Sequence, residues 1–175
     1  MAKINPEFQT ERLILRQTDI SDATFLLELL NSPDWLTYIG DRQVYTQNDG
    51  VAYIKNKITP QFERLGYGSY TIIRKENGAK IGSCGLYDRG GIDGIDIGYA
   101  LLPQFYKKGF ALEAVNELKN IAFNQFGLKA IHAITNKENL SSQQLLKKMR
   151  FSFESFVTLP PETEEIMLFS LRKST

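Results

Sequence analysis

The chain has 175 residues, 42% of them hydrophobic, and 21 Lys and Arg against 20 Asp and Glu, for a net charge of +1. That length suits a single domain (1-175) whose core needs neither a disulfide nor a structural metal, and the balanced charge leaves no whole-molecule field to gather nucleic acid or a membrane surface. One cysteine (Cys84) and one histidine (His132) exclude an internal disulfide and argue against a Cys/His zinc site. Met1 to Arg16 lacks the basic-then-apolar order of a signal peptide, and no apolar run is long enough to span a bilayer, so a cytoplasmic protein is expected.

In chain order, Arg12 to Arg16 reads as a short strand. Asp19 to Leu30 reads as a helix, capped by Asp19 or Ser21, with Phe25, Leu26, Leu29 and Leu30 on one side. Asn31 to Tyr45 reads as irregular and aromatic. Thr46 opens a second helix with Asp49 as capping-box partner; it is expected to break near Pro60 and to stop by Gly66. Ser69 to Arg74 and Lys80 to Tyr87 form a hairpin about Asn77-Gly78. A glycine-rich turn from Arg89 to Gly94 leads into a strand from Ile95 to Leu101.

Gly109 to Phe126 carries the clearest helical pattern, with Ala111, Ala114, Val115, Leu118, Ile121 and Ala122 in one apolar stripe and Gly127 as the stop. Ala130 to Thr135 is a strand. Ser141 is expected to cap a short helix with Gln144, and strands Ser152 to Leu159 and Glu165 to Leu171 close the chain. The mixed order predicts a mostly antiparallel sheet of about seven strands with helices on its faces, an α+β fold, and a crossover joining parallel strands between Ile95 and Thr135.

The chemistry gathers where the Ile95 strand meets the Gly109 helix. The expected first turn, Lys107-Lys108-Gly109-Phe110-Ala111, offers unpaired amides, the positive end of a helix dipole, two cations and small residues that allow close approach. Such a turn suits a pyrophosphate, although a basic helix entry alone is also compatible with a merely solvated surface. Neither GxxxxGK[ST] nor GxGxxG is present.

In context, Asp96-Ile97-Gly98-Tyr99-Ala100-Leu101-Leu102-Pro103 followed by Tyr106-Lys107-Lys108-Gly109-Phe110-Ala111-Leu112-Glu113-Ala114 resembles the acetyl-CoA motif of the GNAT superfamily of N-acetyltransferases. The similarity is greatest to the RimJ/RimL-like branch of ribosomal-protein N-acetyltransferases. Asn139-Leu140-Ser141-Ser142, Lys148-Met149-Arg150-Phe151 and Thr10-Glu11-Arg12-Leu13-Ile14-Leu15-Arg16 resemble further elements of that branch. Two positions depart from it: Lys107 and Arg150 stand where the branch carries glycine.

The resemblance implies a GNAT fold and acetyl transfer from acetyl-CoA to a primary amine by direct attack in a ternary complex, without a metal. It implies that the pantetheine arm pairs with the main chain at Ala100, Leu101 and Leu102, and that the pyrophosphate rests on amides from Lys107, Lys108, Gly109, Phe110, Ala111 and Leu112. Asp96 is the candidate base, or else it orients a loop amide. Ser142 matches the serine that hydrogen-bonds the leaving thiolate, or else it caps a helix. Asn139 either bonds pantetheine or caps. The position of the superfamily's thiolate-protonating tyrosine is Leu146, which cannot donate. His132 reads as a packed side chain, and Glu113 as a partner of the helix dipole. Trp35, Tyr38, Tyr45, Tyr67 and Tyr70 are candidates to line the acceptor slot, or else belong to the core. The acceptor is expected to be a protein N-terminus, with a small amine or antibiotic as the alternative. A non-catalytic acyl-CoA-binding regulator is a further reading. A monomer or a homodimer is compatible with the sequence.

Overall fold

A computed structural model describes residues 7–174. Its strands are β1 (Glu7–Gln9), β2 (Leu13–Gln17), β3 (Ser69–Arg74), β4 (Lys80–Asp88), β5 (Ile95–Leu101), β6 (Ala130–Thr135), β7 (Ser152–Thr158) and β8 (Glu165–Arg172). Its α-helices are α1 (Ala23–Leu30), α2 (Pro33–Tyr38), α3 (Gln47–Tyr53), α4 (Thr59–Leu65), α5 (Phe110–Asn124) and α6 (Leu140–Lys148). The strands form one eight-stranded sheet in the order β1-β2-β3-β4-β5-β6-β8-β7. One strand more than expected is present: β1, three residues long and too short to show a period, pairs antiparallel with β2. β5 and β6 run parallel, as the crossover predicts, and β6–β8 and β7–β8 are antiparallel. Among the described residues no helix is long and apolar enough to cross a membrane.

Local chemistry sets the helix ends. Asp19 accepts from the Ser21 amide and Asp22 from the Asp19 amide, a capping box on a 3-10 turn (Ile20–Asp22) that leads into α1. Thr46 and Asp49 form the expected box at α3. Pro60 does not break the following helix. The chain widens into a π turn over Ile54–Ile58, which accommodates a ring with no N–H to donate, and continues as α4. Gly66, left-handed at φ 79°, ends α4 as expected, its amide bonded to the Phe62 carbonyl. The stretch after Asn31 is not wholly irregular, since Ser32-Pro33 starts the short helix α2.

The chain divides into two compact units. The first takes in the residues up to Gly85 and Tyr99–Ala114, the second Leu86–Gly98 and the residues from Val115 on. In the first, Ala23, Phe25, Leu26, Leu29 and Leu30 of α1 pack with Val44, Ile54, Ile58 and Leu102, and Trp35, Ala100 and Phe105 lie against this cluster. Tyr70 is fully buried, edge-on to Phe8 and Phe62, and Tyr67 is also buried. Cys84, opposite Tyr70 on β4, is fully buried, and burial pushes its thiol pKa up. Asp22 is fully buried too, held by Arg16 Nη2 (2.7 Å), Lys80 Nζ (2.7 Å) and the Thr71 hydroxyl (3.0 Å).

In the second unit the α5 stripe is buried as predicted at Val115, Leu118, Ile121 and Ala122. There α6 buries Leu146, followed by Met149, and leaves Leu145 half-buried.

Candidate active site

The predicted phosphate turn forms in the first unit, with its boundary shifted. The helix starts at Phe110, so Lys107 and Lys108 lie in the loop before it rather than in the first helical turn. Gly109 is left-handed (φ 80°), a conformation open to a residue without Cβ, and its carbonyl accepts from the Glu113 amide at 3.1 Å. The amides of Phe110, Ala111 and Leu112 precede that first intrahelical bond and have no partner within the helix. Lys107 also sits at φ 59°. A residue with a Cβ holds that left-handed turn at a cost of about 1 kcal/mol. Lys108 directs its ammonium to the Gln104 carbonyl at 2.9 Å. Tyr106 hydrogen-bonds Asp34; burial first, then that carboxylate, raises the phenol pKa.

Glu113 does more than face a helix dipole. Its Oε1 accepts from the Thr10 hydroxyl (2.6 Å) and the Arg12 amide (2.8 Å), and its Oε2 from Arg12 Nε (2.6 Å). Burial disfavours its charge, but these three donors outweigh burial and hold its pKa below the ordinary value. Arg12 also donates Nη1 to the Lys108 carbonyl (3.0 Å) and lies 4.4 Å above the Phe110 ring. Local sequence periodicity does not pair these residues, because Arg12 and Glu113 are 101 positions apart.

The end of β5 is drawn close to β4. A Cβ on Gly82 would stand 2.3 Å from the Ala100 carbonyl oxygen, so only glycine fits there. The Leu102 amide donates to the Ile81 carbonyl at 2.8 Å and so is not available to a ligand. Successive backbone groups of a strand alternate between its two edges. The Leu101 amide therefore points to the edge away from β4, which narrows the expected Ala100–Leu102 ligand edge to Leu101.

In the second unit Asp96 lies in register with His132 of β6 and is 1% exposed. Its Oδ1 accepts from Arg89 Nε at 2.7 Å, and its Oδ2 is enclosed with no hydrogen-bond partner among the described residues. Burial raises the Asp96 pKa, opposed by the charge and hydrogen bond of Arg89 and by His132. The chain thus supplies a carboxylate with one oxygen engaged and one uncommitted. Gly98, two residues on, has space for a Cβ only 3.2 Å from the Tyr87 ring. His132 packs against Gly94; its Nδ1 is buried without a hydrogen bond, 3.8 Å from Glu154 Oε2.

The start of α6 takes the capping alternative offered for Asn139 and not the one offered for Ser141. The cap is Asn139, not Ser141: Asn139 Oδ1 accepts from the Ser142 amide (3.2 Å) and the Ser141 hydroxyl (3.1 Å), and the helix begins at Leu140. Capping therefore engages the Asn139 oxygen and leaves the hydroxyl of Ser142, a buried residue, with no hydrogen-bond partner among the described residues. Leu146, one turn on, is 3% exposed. The turn after α6 also holds: Arg150 is left-handed (φ 68°), and the Phe151 amide reaches back to the Leu146 carbonyl at 3.0 Å, a Schellman-type close without glycine.

Residues 12–152 match the Acetyltransferase (GNAT) domain family. The chain belongs to the GNAT acetyltransferases. It is 30% identical over 173 residues to p20 of Bacillus licheniformis, named an uncharacterized N-acetyltransferase, across 94% of each chain. The GNAT fold is shared with the ribosomal-protein-S5-alanine acetyltransferase of Vibrio fischeri (TM-score 0.80, 18% identity, 96% of this chain and 97% of that one). It is shared equally with RimL, a ribosomal L7/L12 alpha-N-protein acetyltransferase (TM-score 0.81, 14% identity, 99% and 97%). This GNAT chain is an N-acetyltransferase with RimJ/RimL-like structural relatives.

Sequence reasoning missed Arg12, Thr10 and Arg89 as partners of Glu113 and Asp96, and Asp34 as the partner of Tyr106. The first two lie in the Thr10–Arg16 segment, whose likeness to the RimJ/RimL-like branch was the one available signal.

Proposed function

We propose that the chain transfers an acetyl group from acetyl-CoA to a primary amine by direct attack in a ternary complex, and that the acceptor is a protein N-terminus. The observation that carries the reading is the left-handed Gly109 followed by the amides of Phe110, Ala111 and Leu112, a turn built to hold an anion. The pyrophosphate of acetyl-CoA is assigned to that turn, from Lys107 to Leu112, and the pantetheine arm to the Leu101 edge. Acetyl-CoA supplies the activated thioester; the chain's residues bind it and manage protons.

An amine attacks only when neutral, so its proton must leave. Asp96 Oδ2 is the candidate acceptor, directly or through a water, with Arg89 fixing the carboxylate plane. As the C–N bond forms and the C–S bond breaks, the departing thiolate needs a donor. Ser142 is the group assigned to it, since Asn139 is occupied as cap. The protein N-terminus as acceptor rests on analogy to the ribosomal-protein acetyltransferases of the same fold.

Thiol release from acetyl-CoA across N-terminal peptides, polyamines and aminoglycosides tests the reading, alongside calorimetry of CoA binding. Turnover on peptides with free N-termini and not on the small amines supports it. Preference for a small amine would move the acceptor class, and absence of CoA binding would remove the reading altogether.

A further inference from the structure

The Arg12 guanidinium touches three parts of the phosphate turn at once: the Lys108 carbonyl, the Phe110 ring and the Glu113 carboxylate. The first contact has a directional consequence. A trans peptide is planar, so its C=O and its N–H point to opposite sides. The Lys108 carbonyl and the Gly109 amide belong to one peptide unit. With the carbonyl held by Arg12 Nη1 at 3.0 Å, the Gly109 N–H must point away from Arg12. A Cβ on Gly109 would come within 3.3 Å of Arg12 Nη2, so the missing side chain is also what lets the guanidinium close against the turn.

Two further anchors keep Arg12 from swinging out. Its own backbone amide and its Nε both donate to Glu113, and Thr10 supplies a third donor to that carboxylate. Glu113 stands on the first turn of α5, so the guanidinium ties that turn to the loop before it. The peptide so held lies between two left-handed residues, Lys107 and Gly109.

We infer that Arg12 is a positioning residue that sets the Gly109 amide toward the cofactor's diphosphate while lying on the far side of the peptide and not touching the diphosphate itself. The inference rests on the proposed acetyl-CoA reading. It assigns to the Thr10–Arg12 segment a role in cofactor affinity, exerted through Glu113 and the Lys108 carbonyl.

The test uses the full chain with Arg12→Gln and Arg12→Lys. Lysine keeps a cation for Glu113 but cannot serve Glu113 and the Lys108 carbonyl together. Calorimetry with CoA is expected to show about tenfold weaker binding in both variants, the loss of one hydrogen bond to an anion. The KM for acetyl-CoA should rise by the same factor, with a smaller fall in kcat. Pantetheine, which carries the same arm without the diphosphate, should compete with an inhibition constant within twofold of wild type. CoA affinity unchanged in both variants overturns the inference, as does an equal loss for pantetheine and CoA, or loss of folding in both variants. Wild-type protein that binds no CoA would instead overturn the functional reading, so the two failures are separable.

Discussion

Asp96 and His132 are in register across the parallel pair β5–β6, and each buries a side-chain atom with no hydrogen-bond partner among the described residues, Oδ2 of one and Nδ1 of the other. Unpartnered polar atoms in a folded interior are uncommon and costly, about 1–3 kcal/mol each. Trp35, Tyr70 and Thr135 each bury such an atom as well, so the pair is distinguished by the proton-accepting role proposed for Asp96 and not by the orphaned atoms alone.

If Asp96 accepts the amine proton, Asp96→Asn removes that capacity with little change in shape. Turnover should fall about a hundredfold or more, with CoA affinity by calorimetry held within a few fold. Burial places the carboxyl above the ordinary range near pH 4. A base must be ionised, so wild-type kcat/KM should rise with pH through that elevated value and then level, and the acidic limb should vanish in the variant. A limb that persists in Asp96→Asn assigns the base elsewhere and leaves Asp96 as a partner for Arg89.

Ser142→Ala separates leaving-group assistance from helix capping. Asn139 already caps α6, so the thermal midpoint should move by less than about 0.5 kcal/mol equivalent. Turnover should drop about tenfold, the weight of one hydrogen bond to a developing charge. An unchanged rate would remove Ser142 from the reaction.

Asp22 supplies the clearest dependence of stability on acid. Burial alone would raise its pKa, but hydrogen bonds from Arg16, Lys80 and the Asp19 amide overcome burial and lower it. The folded state therefore takes up this proton less readily than the unfolded chain. The stabilisation is whole above about pH 5 and drains away as pH falls below the ordinary carboxylate value. Asp22→Asn should cost about 3 kcal/mol at neutral pH, because Arg16 and Lys80 lose their shared anion. Urea unfolding at a series of acid pH values checks both, and the variant should show a flatter acid response.

Arg150→Gly should stabilise the chain by about 1 kcal/mol. The position is left-handed at φ 68°, closing α6, and glycine adopts that conformation without strain. Gly82→Ala should do the reverse, costing about 2 kcal/mol or more, because a methyl group there collides with the Ala100 backbone. Thermal unfolding of the two variants reads both signs.

The sequence made legible what short-range physics decides. The Asn77-Gly78 turn, the Thr46–Asp49 box, the Gly66 stop and the α5 stripe all formed where pattern placed them. Gly78 is left-handed, and its amide bonds the Arg74 carbonyl. Helix α2 escaped because six residues with no buried member show no period. The cap of α6 was left between Asn139 and Ser141, since both are competent caps and only geometry chooses Asn139. At the site, the residue types on one strand and one helix start were readable, but not their partners. Arg89 reaches Asp96 and Arg12 reaches Glu113 from elsewhere in the chain. Neither Lys107 nor Arg150 announces a left-handed backbone by its side chain.

Cys84 has a practical corollary. Fully enclosed and with its ionisation suppressed, it presents no thiolate to an aromatic disulfide reagent while the chain is native. Colour developed in such a solution would come from released coenzyme alone. The same sulfur becomes reactive once the interior opens, so with coenzyme left out the reagent turns into a stopwatch for global unfolding.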